Sequence, residues 1–90
     1  MDTAALPGGD LVEHGVADLA AGVESVEALL VSLAATKLRR LGLDVPPALE
    51  DPELRLYQLL AADGEDTAHG RYNALVRRIV SFERALGCVS

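Results

Sequence analysis

The sequence predicts an all-α fold in which a long, a short and a medium helix of one chain form a dimeric helical bundle with a second copy. Apolar residues recur at steps of three and four along most of the 90 residues, as on one face of a helix. No segment alternates apolar and polar residues as a half-buried strand does. Aromatic residues are limited to two Tyr and one Phe, so the core must consist of aliphatic side chains that allow helices to pack closely.

Residues 1–9 are expected to form a flexible N-terminal tail, because small residues, a proline and two glycines follow one another there without periodicity. Residues 10–87 are expected to form a single helical domain. Its first helix is predicted over residues 10–41. Asp10 suits the N-cap, Glu13 is placed as its capping-box partner, and Gly42 suits the C-terminal stop.

One face of this predicted first helix carries an apolar row with the spacing of a coiled-coil seam. A helix of that length would extend about 48 Å at ~1.5 Å per residue, further than the other predicted helices can cover. We therefore expect a homodimer through the long helix, the alternative being a monomeric bundle with a break at Gly15 or Gly22. The seam, which is the predicted interface, consists of Val12, Val16, Leu19, Val23, Val26, Leu30 and Leu33.

Two further helices follow a proline-rich connector over residues 42–51. The sequence Asp-Pro-Glu that begins at Asp51 predicts the start of a second helix over residues 52–62, which is apolar on nearly all sides and is expected to be buried by more than one neighbour. A third, amphipathic helix is predicted over residues 67–86, with Gly87 as its stop.

A possible polar binding face lies on the third helix, where arginines stand seven residues apart in two rows. Because arginine suits phosphate and carboxylate contacts, binding of nucleic acid or of an acidic partner is the alternative function. The net charge of −6 disfavours nucleic acid and favours arginines that are solvated or paired with acids. The four residues are Arg71, Arg77, Arg78 and Arg84.

We expect no catalytic residues, no cofactor and no metal site. His14 and His69 are predicted to be surface residues, and Glu27 at the edge of the seam is expected to pair with an arginine. Tyr57 and Tyr72 would give an aliphatic pocket a polar end, although buried tyrosines with satisfied hydroxyls are the ordinary case.

The expected function is that of a small non-enzymatic subunit for protein–protein interaction, assembly or regulation, as a homodimer or with an unidentified protein partner. A single cysteine, Cys88, favours a cytoplasmic location, since it cannot form an internal disulfide. No membrane association is expected, because the longest apolar run is far shorter than a spanning helix needs. A third function is the binding of an apolar small molecule, in a cleft between the short second helix and the overhanging end of the first helix.

Overall fold

Four α-helices account for most of the chain in a computed structural model that describes residues 3–62 and 64–89. One turn of 3-10 helix, Thr3–Ala5, precedes them, and no strand occurs in these two ranges. The all-α prediction is confirmed, whereas the prediction of three helices is wrong. The helices are α1 (Gly9–Ala20), α2 (Val26–Arg40), α3 (Pro52–Ala61) and α4 (Glu65–Val89).

The continuous helix predicted over residues 10–41 is wrong because the chain reverses at Gly22. Gly22 has a φ of +74°, a left-handed conformation that glycine adopts without steric cost. The Val23 amide donates to the Asp18 carbonyl at 2.8 Å, which completes a Schellman motif. A straight helix of about 48 Å would also exceed the longest dimension of the molecule, 38 Å.

Helix α2 starts immediately after this reversal and packs back against α1. The Ser25 hydroxyl caps α2 by accepting a hydrogen bond from the Ala28 amide at 3.0 Å. Gly15 of α1 lies so close to α2 that a Cβ atom there would stand 2.5 Å from both the Glu27 carbonyl oxygen and Val31 Cγ2. The two helices therefore form a tight antiparallel hairpin.

Helix α2 is the central element, with α1, α3 and α4 packed around it. Four consecutive residues from Ala28 to Val31 are fully buried, as are Leu38 and nearly all of Ala35. A helix whose first half is buried on every side needs several neighbours. The chain supplies these neighbours itself.

The predicted dimer seam is divided between α1, the turn and α2. Val12, Leu19 and Leu30 are buried in the chain's own core, and the half-buried members pack against that core. Only Val23, in the turn, is exposed as a large apolar side chain, at 47%. The long helix that was expected to carry a dimer is therefore absent, and most of its seam is covered within one chain. The half-buried members are Val16, Val26 and Leu33.

Side chains of α2 hold the connector between α2 and α3 in place. The buried Ser32 hydroxyl donates to the Ala28 carbonyl at 2.8 Å and accepts from the Leu49 amide at 3.0 Å. The Arg39 guanidinium donates to the carbonyls of Val45 and Pro46. These bonds satisfy connector groups that have no helical partners.

The predicted helix ends are only partly matched. Helix α3 begins at Pro52 as expected, but Asp51 adopts a φ of +46° and its side chain makes no capping hydrogen bond. Helix α4 begins at Glu65 and continues through Gly87, so the predicted bounds of 67 and 86 are too narrow.

Part of the predicted flexible tail is structured. Leu6, after the 3-10 turn, packs against the core, and Gly8, not Asp10, takes the N-cap position of α1. Met1 and Asp2 lie outside the described residues.

The close approach of α1 to α2 at Gly15 leaves no room for a larger side chain at this position. Gly15→Ala should lower the free energy of unfolding by about 1–3 kcal/mol, because the added methyl group overpacks the α1–α2 contact. Gly70→Ala is the matched control, since a Cβ at Gly70 meets nothing within 4 Å and the residue lies inside α4. We expect the control to raise stability by about 0.5–1 kcal/mol. Urea denaturation followed by circular dichroism measures both, and equal effects would contradict the packing.

Candidate binding groove

An open groove of about 790 Å³ lies between α2, α3 and α4. Its volume falls within the ~300–1,000 Å³ typical of small-molecule sites. It differs from the predicted cleft beside an overhanging first helix, because that overhang does not exist. The groove is lined by Leu33, Asp51, Pro52, Glu53, Leu54, Tyr57, His69 and Tyr72.

Helix α3 contributes two large apolar side chains to the groove without covering them. Its inner face buries Leu56 and Leu60 almost completely. Leu54 and Tyr57 lie three residues apart on an adjoining face and are 60% and 39% exposed. The short helix packs against both α2 and α4, as its apolar sequence predicts, but Leu54 and Tyr57 remain exposed.

An aromatic pair forms one wall of the groove. The rings of Tyr57 and Tyr72 lie 6.1 Å apart between centroids and are tilted by 55°, within the range of favourable aromatic contacts. Neither hydroxyl forms a hydrogen bond to another described residue. The sequence had favoured buried tyrosines with satisfied hydroxyls, but Tyr57 keeps much of its surface open to solvent.

The groove is acidic. Asp51 and Glu53 line it, and no lysine or arginine is among the lining residues that the structure describes. Partial burial raises the pKa of the Tyr72 hydroxyl, and the negative charge of Glu53 raises this pKa further. The field of Glu53 therefore reaches into the groove as far as the aromatic pair.

The arginines of the predicted polar face do not line this groove. Arg78 of α4 forms an ion pair with Asp10 of α1, with Nη2 and Oδ1 3.2 Å apart. Arg77 and Arg84 are exposed, and Arg71 also takes part in an interaction. Because at least one member pairs with an acid, the four side chains do not form one uniform cationic surface.

A group of three side chains that sequence reasoning missed lies at the α1–α2 turn. Within residues 3–62 and 64–89, His14, Asp18 and Glu27 are the one group of three His, Cys or acidic side chains whose ligand atoms lie within 4.8 Å of one another, close enough to share a metal ion. On a straight helix His14 and Glu27 would be about 20 Å apart. The turn signals at Gly22 and Ser25 are what could have revealed their proximity.

No known protein family, curated protein or solved structure matches this chain. Among the helices of the described ranges, none has the length and apolar content needed to cross a membrane.

The field in the groove can be tested through the ionisation of Tyr72. In a Tyr57→Phe background, Tyr72 is the only remaining tyrosine and there is no tryptophan, so tyrosinate absorbance reports this one hydroxyl. Glu53→Gln should lower the Tyr72 pKa, because it removes one of the two causes that raise it, while burial keeps part of the increase.

Glu50→Gln is the control for this titration, because Glu50 is exposed and does not line the groove. It should leave the Tyr72 pKa unchanged. An equal decrease in both variants would show that Glu53 has no specific effect on the groove.

Proposed function

We propose that this protein is a non-enzymatic helical interaction subunit whose groove binds a basic, amphipathic segment of another protein. The observation that carries this proposal is the exposure of Leu54 and Tyr57 in the lining of a groove that also contains two carboxylates. Helix-in-groove recognition requires apolar surface in the groove, against which the anchoring side chains of the bound segment can pack. Leu33, Leu54 and the tyrosine pair supply this apolar surface.

The charge of the groove determines which guest fits. The described lining contains two carboxylates and no lysine or arginine, which favours a segment with Lys or Arg beside its apolar anchors. The net charge of −6 on the whole chain attracts a basic segment from a distance and repels an acidic one. The exposed ring of Tyr57 adds a face on which a guanidinium or ammonium group can stack.

Binding, and not catalysis, is the role that the polar groups of the groove support. His69 forms no hydrogen bond with Asp51, Glu53 or either tyrosine hydroxyl among the described residues. A nucleophile activated by a base requires such a contact. The groove therefore offers recognition groups that are separate from one another.

A second copy of the chain is the other occupant to consider, because a homodimer was expected. A second copy would bring a further charge of −6 to an acidic groove, which opposes self-association. Its seam is also largely covered by its own core. These two features favour a basic partner of different sequence. The exposed, unpaired Cys88 thiol is consistent with the reducing cytoplasm as the place of this role.

The proposal is tested with two synthetic amphipathic helices that share their leucine positions, one with lysines and one with glutamates on the polar face. We expect the leucine–lysine peptide to shift the backbone amide signals of groove residues in ¹H–¹⁵N spectra, and the leucine–glutamate peptide to leave them unchanged. Leu54→Lys should weaken the binding about tenfold or more, because it replaces an apolar contact by a repelling charge.

Leu59→Lys is the matched control, because Leu59 is also an exposed leucine of α3 but does not line the groove. It should change the affinity less than twofold. Equal binding of both peptides, or equal damage from both variants, would contradict the proposal. Light scattering without peptide tests whether a second copy of the chain occupies the groove instead. If the chain is a dimer and Leu54→Lys converts it to a monomer, the second copy is the occupant and the proposal is wrong.

A further inference from the structure

Three side chains with metal-binding atoms meet on the surface where α1 turns into α2. One ligand atom from each of His14, Asp18 and Glu27 lies within 4.8 Å of the other two. The His14 Nε2 and Asp18 Oδ2 atoms are 3.3 Å apart. This group is separate from the groove, whose lining contains none of the three residues.

The fold brings these donors together by two local devices. His14 and Asp18 are four residues apart in α1 and therefore share one face of the helix. Glu27 lies in the first turn of α2, and the missing side chain of Gly15 allows α1 to lie directly against the Glu27 backbone. All three donors thus stand on helices whose relative position is set by close packing.

The Asp18 carboxylate is held in a defined orientation. Its Oδ2 atom accepts a hydrogen bond of 2.6 Å from the Ser25 hydroxyl. The Ser25 oxygen in turn accepts from the Ala28 amide, which directs the hydroxyl proton toward Asp18. Hydrogen bonds from neighbouring groups to a ligating carboxylate are typical of metal sites, because they orient the ligand.

The Glu27 carboxylate is half-buried beside Asp18 and forms no ion pair with an arginine or lysine of the described ranges. The expected arginine partner of Glu27 is therefore absent within the chain as described. The nearby Glu24, in contrast, pairs with Arg55 at 2.9 Å. Two neighbouring carboxylates repel each other, and a bound cation would convert this repulsion into attraction.

We propose that His14, Asp18 and Glu27 bind a first-row divalent transition metal ion, of which zinc is the simplest probe. An imidazole nitrogen with two carboxylate oxygens is a donor set that such ions accept. Two ligands of a tetrahedral zinc ion, each about 2.0–2.1 Å from the metal, lie about 3.4 Å apart, which matches the spacing of His14 and Asp18. The Glu27 carboxylate would supply the third ligand; its oxygen lies within 4.8 Å of the other two ligand atoms and must move closer to complete the set. Because His14 is largely exposed, water could supply a fourth ligand.

Bound metal would also join α1 to α2 across the turn. Zinc should therefore raise the melting temperature of the chain in addition to giving heat in a titration. These two readouts need no enzymatic activity and do not depend on the groove, so a failure here leaves the proposed function intact.

The experiment is a calorimetric titration of zinc chloride into the untagged full chain, followed by thermal melts with and without zinc. We expect one zinc ion per chain. His14→Gln and Glu27→Gln should each weaken the binding about tenfold or more and remove most of the thermal shift. Because Glu27 has no partner within the described residues, Glu27→Gln tests the site without breaking an existing hydrogen bond or ion pair of these residues.

His69→Gln and Cys88→Ser are the matched controls. His69 is the other histidine and Cys88 the single cysteine, and both are exposed on α4, outside the proposed site. Each control should change the zinc affinity less than twofold. The proposal is wrong if millimolar zinc gives neither heat nor a thermal shift. It is equally wrong if the controls abolish binding while His14→Gln and Glu27→Gln leave it unchanged.

Discussion

The close contact between Gly15 of α1 and the first turn of α2 is the constraint on which the rest of the structure depends. It is possible only because Gly15 carries no side chain and because the chain has reversed at Gly22. With α1 folded back in this way, α2 acquires one of its neighbours from its own chain. The remaining faces of α2 are then covered by α3 and α4, which gives the core its shape.

The sequence predicted the helical class and the start of α3 correctly, because each depends on signals within a few residues. It failed at Gly22, although a glycine stop of the same kind was recognised at Gly42. The two glycines differ in the residues that come after them. After Gly42 two prolines prevent a helix, whereas after Gly22 the apolar row continues in register through Val23 and Val26. The continuous apolar row therefore resembles that of a single long helix. The signal for two helices is Ser25, whose hydroxyl caps the start of α2.

The candidate sites were harder to predict than the fold, because they depend on residues that are distant in a straight chain. The exposure of Leu54 and Tyr57 depends on the orientation in which α3 packs against α2 and α4. The residues of α3 alone do not determine that orientation. The side-chain cluster of His14, Asp18 and Glu27 likewise exists only once the chain has reversed. An extended first helix would separate its histidine from its glutamate by more than three turns.

The packing of neighbouring segments has a consequence for how fast the chain reaches its native state. Helix α1 pairs with α2, α2 with α3, and α3 with α4, so most contacts join segments adjacent in sequence. Helical domains whose contacts are mostly local fold in microseconds to milliseconds, because little loop entropy is lost before contacts form. The ion pair between Asp10 and Arg78, 68 residues apart, is among the few links between the two ends of the chain. Forming that link costs more loop-closure entropy than forming the hairpin of α1 and α2, so we expect the hairpin to form first.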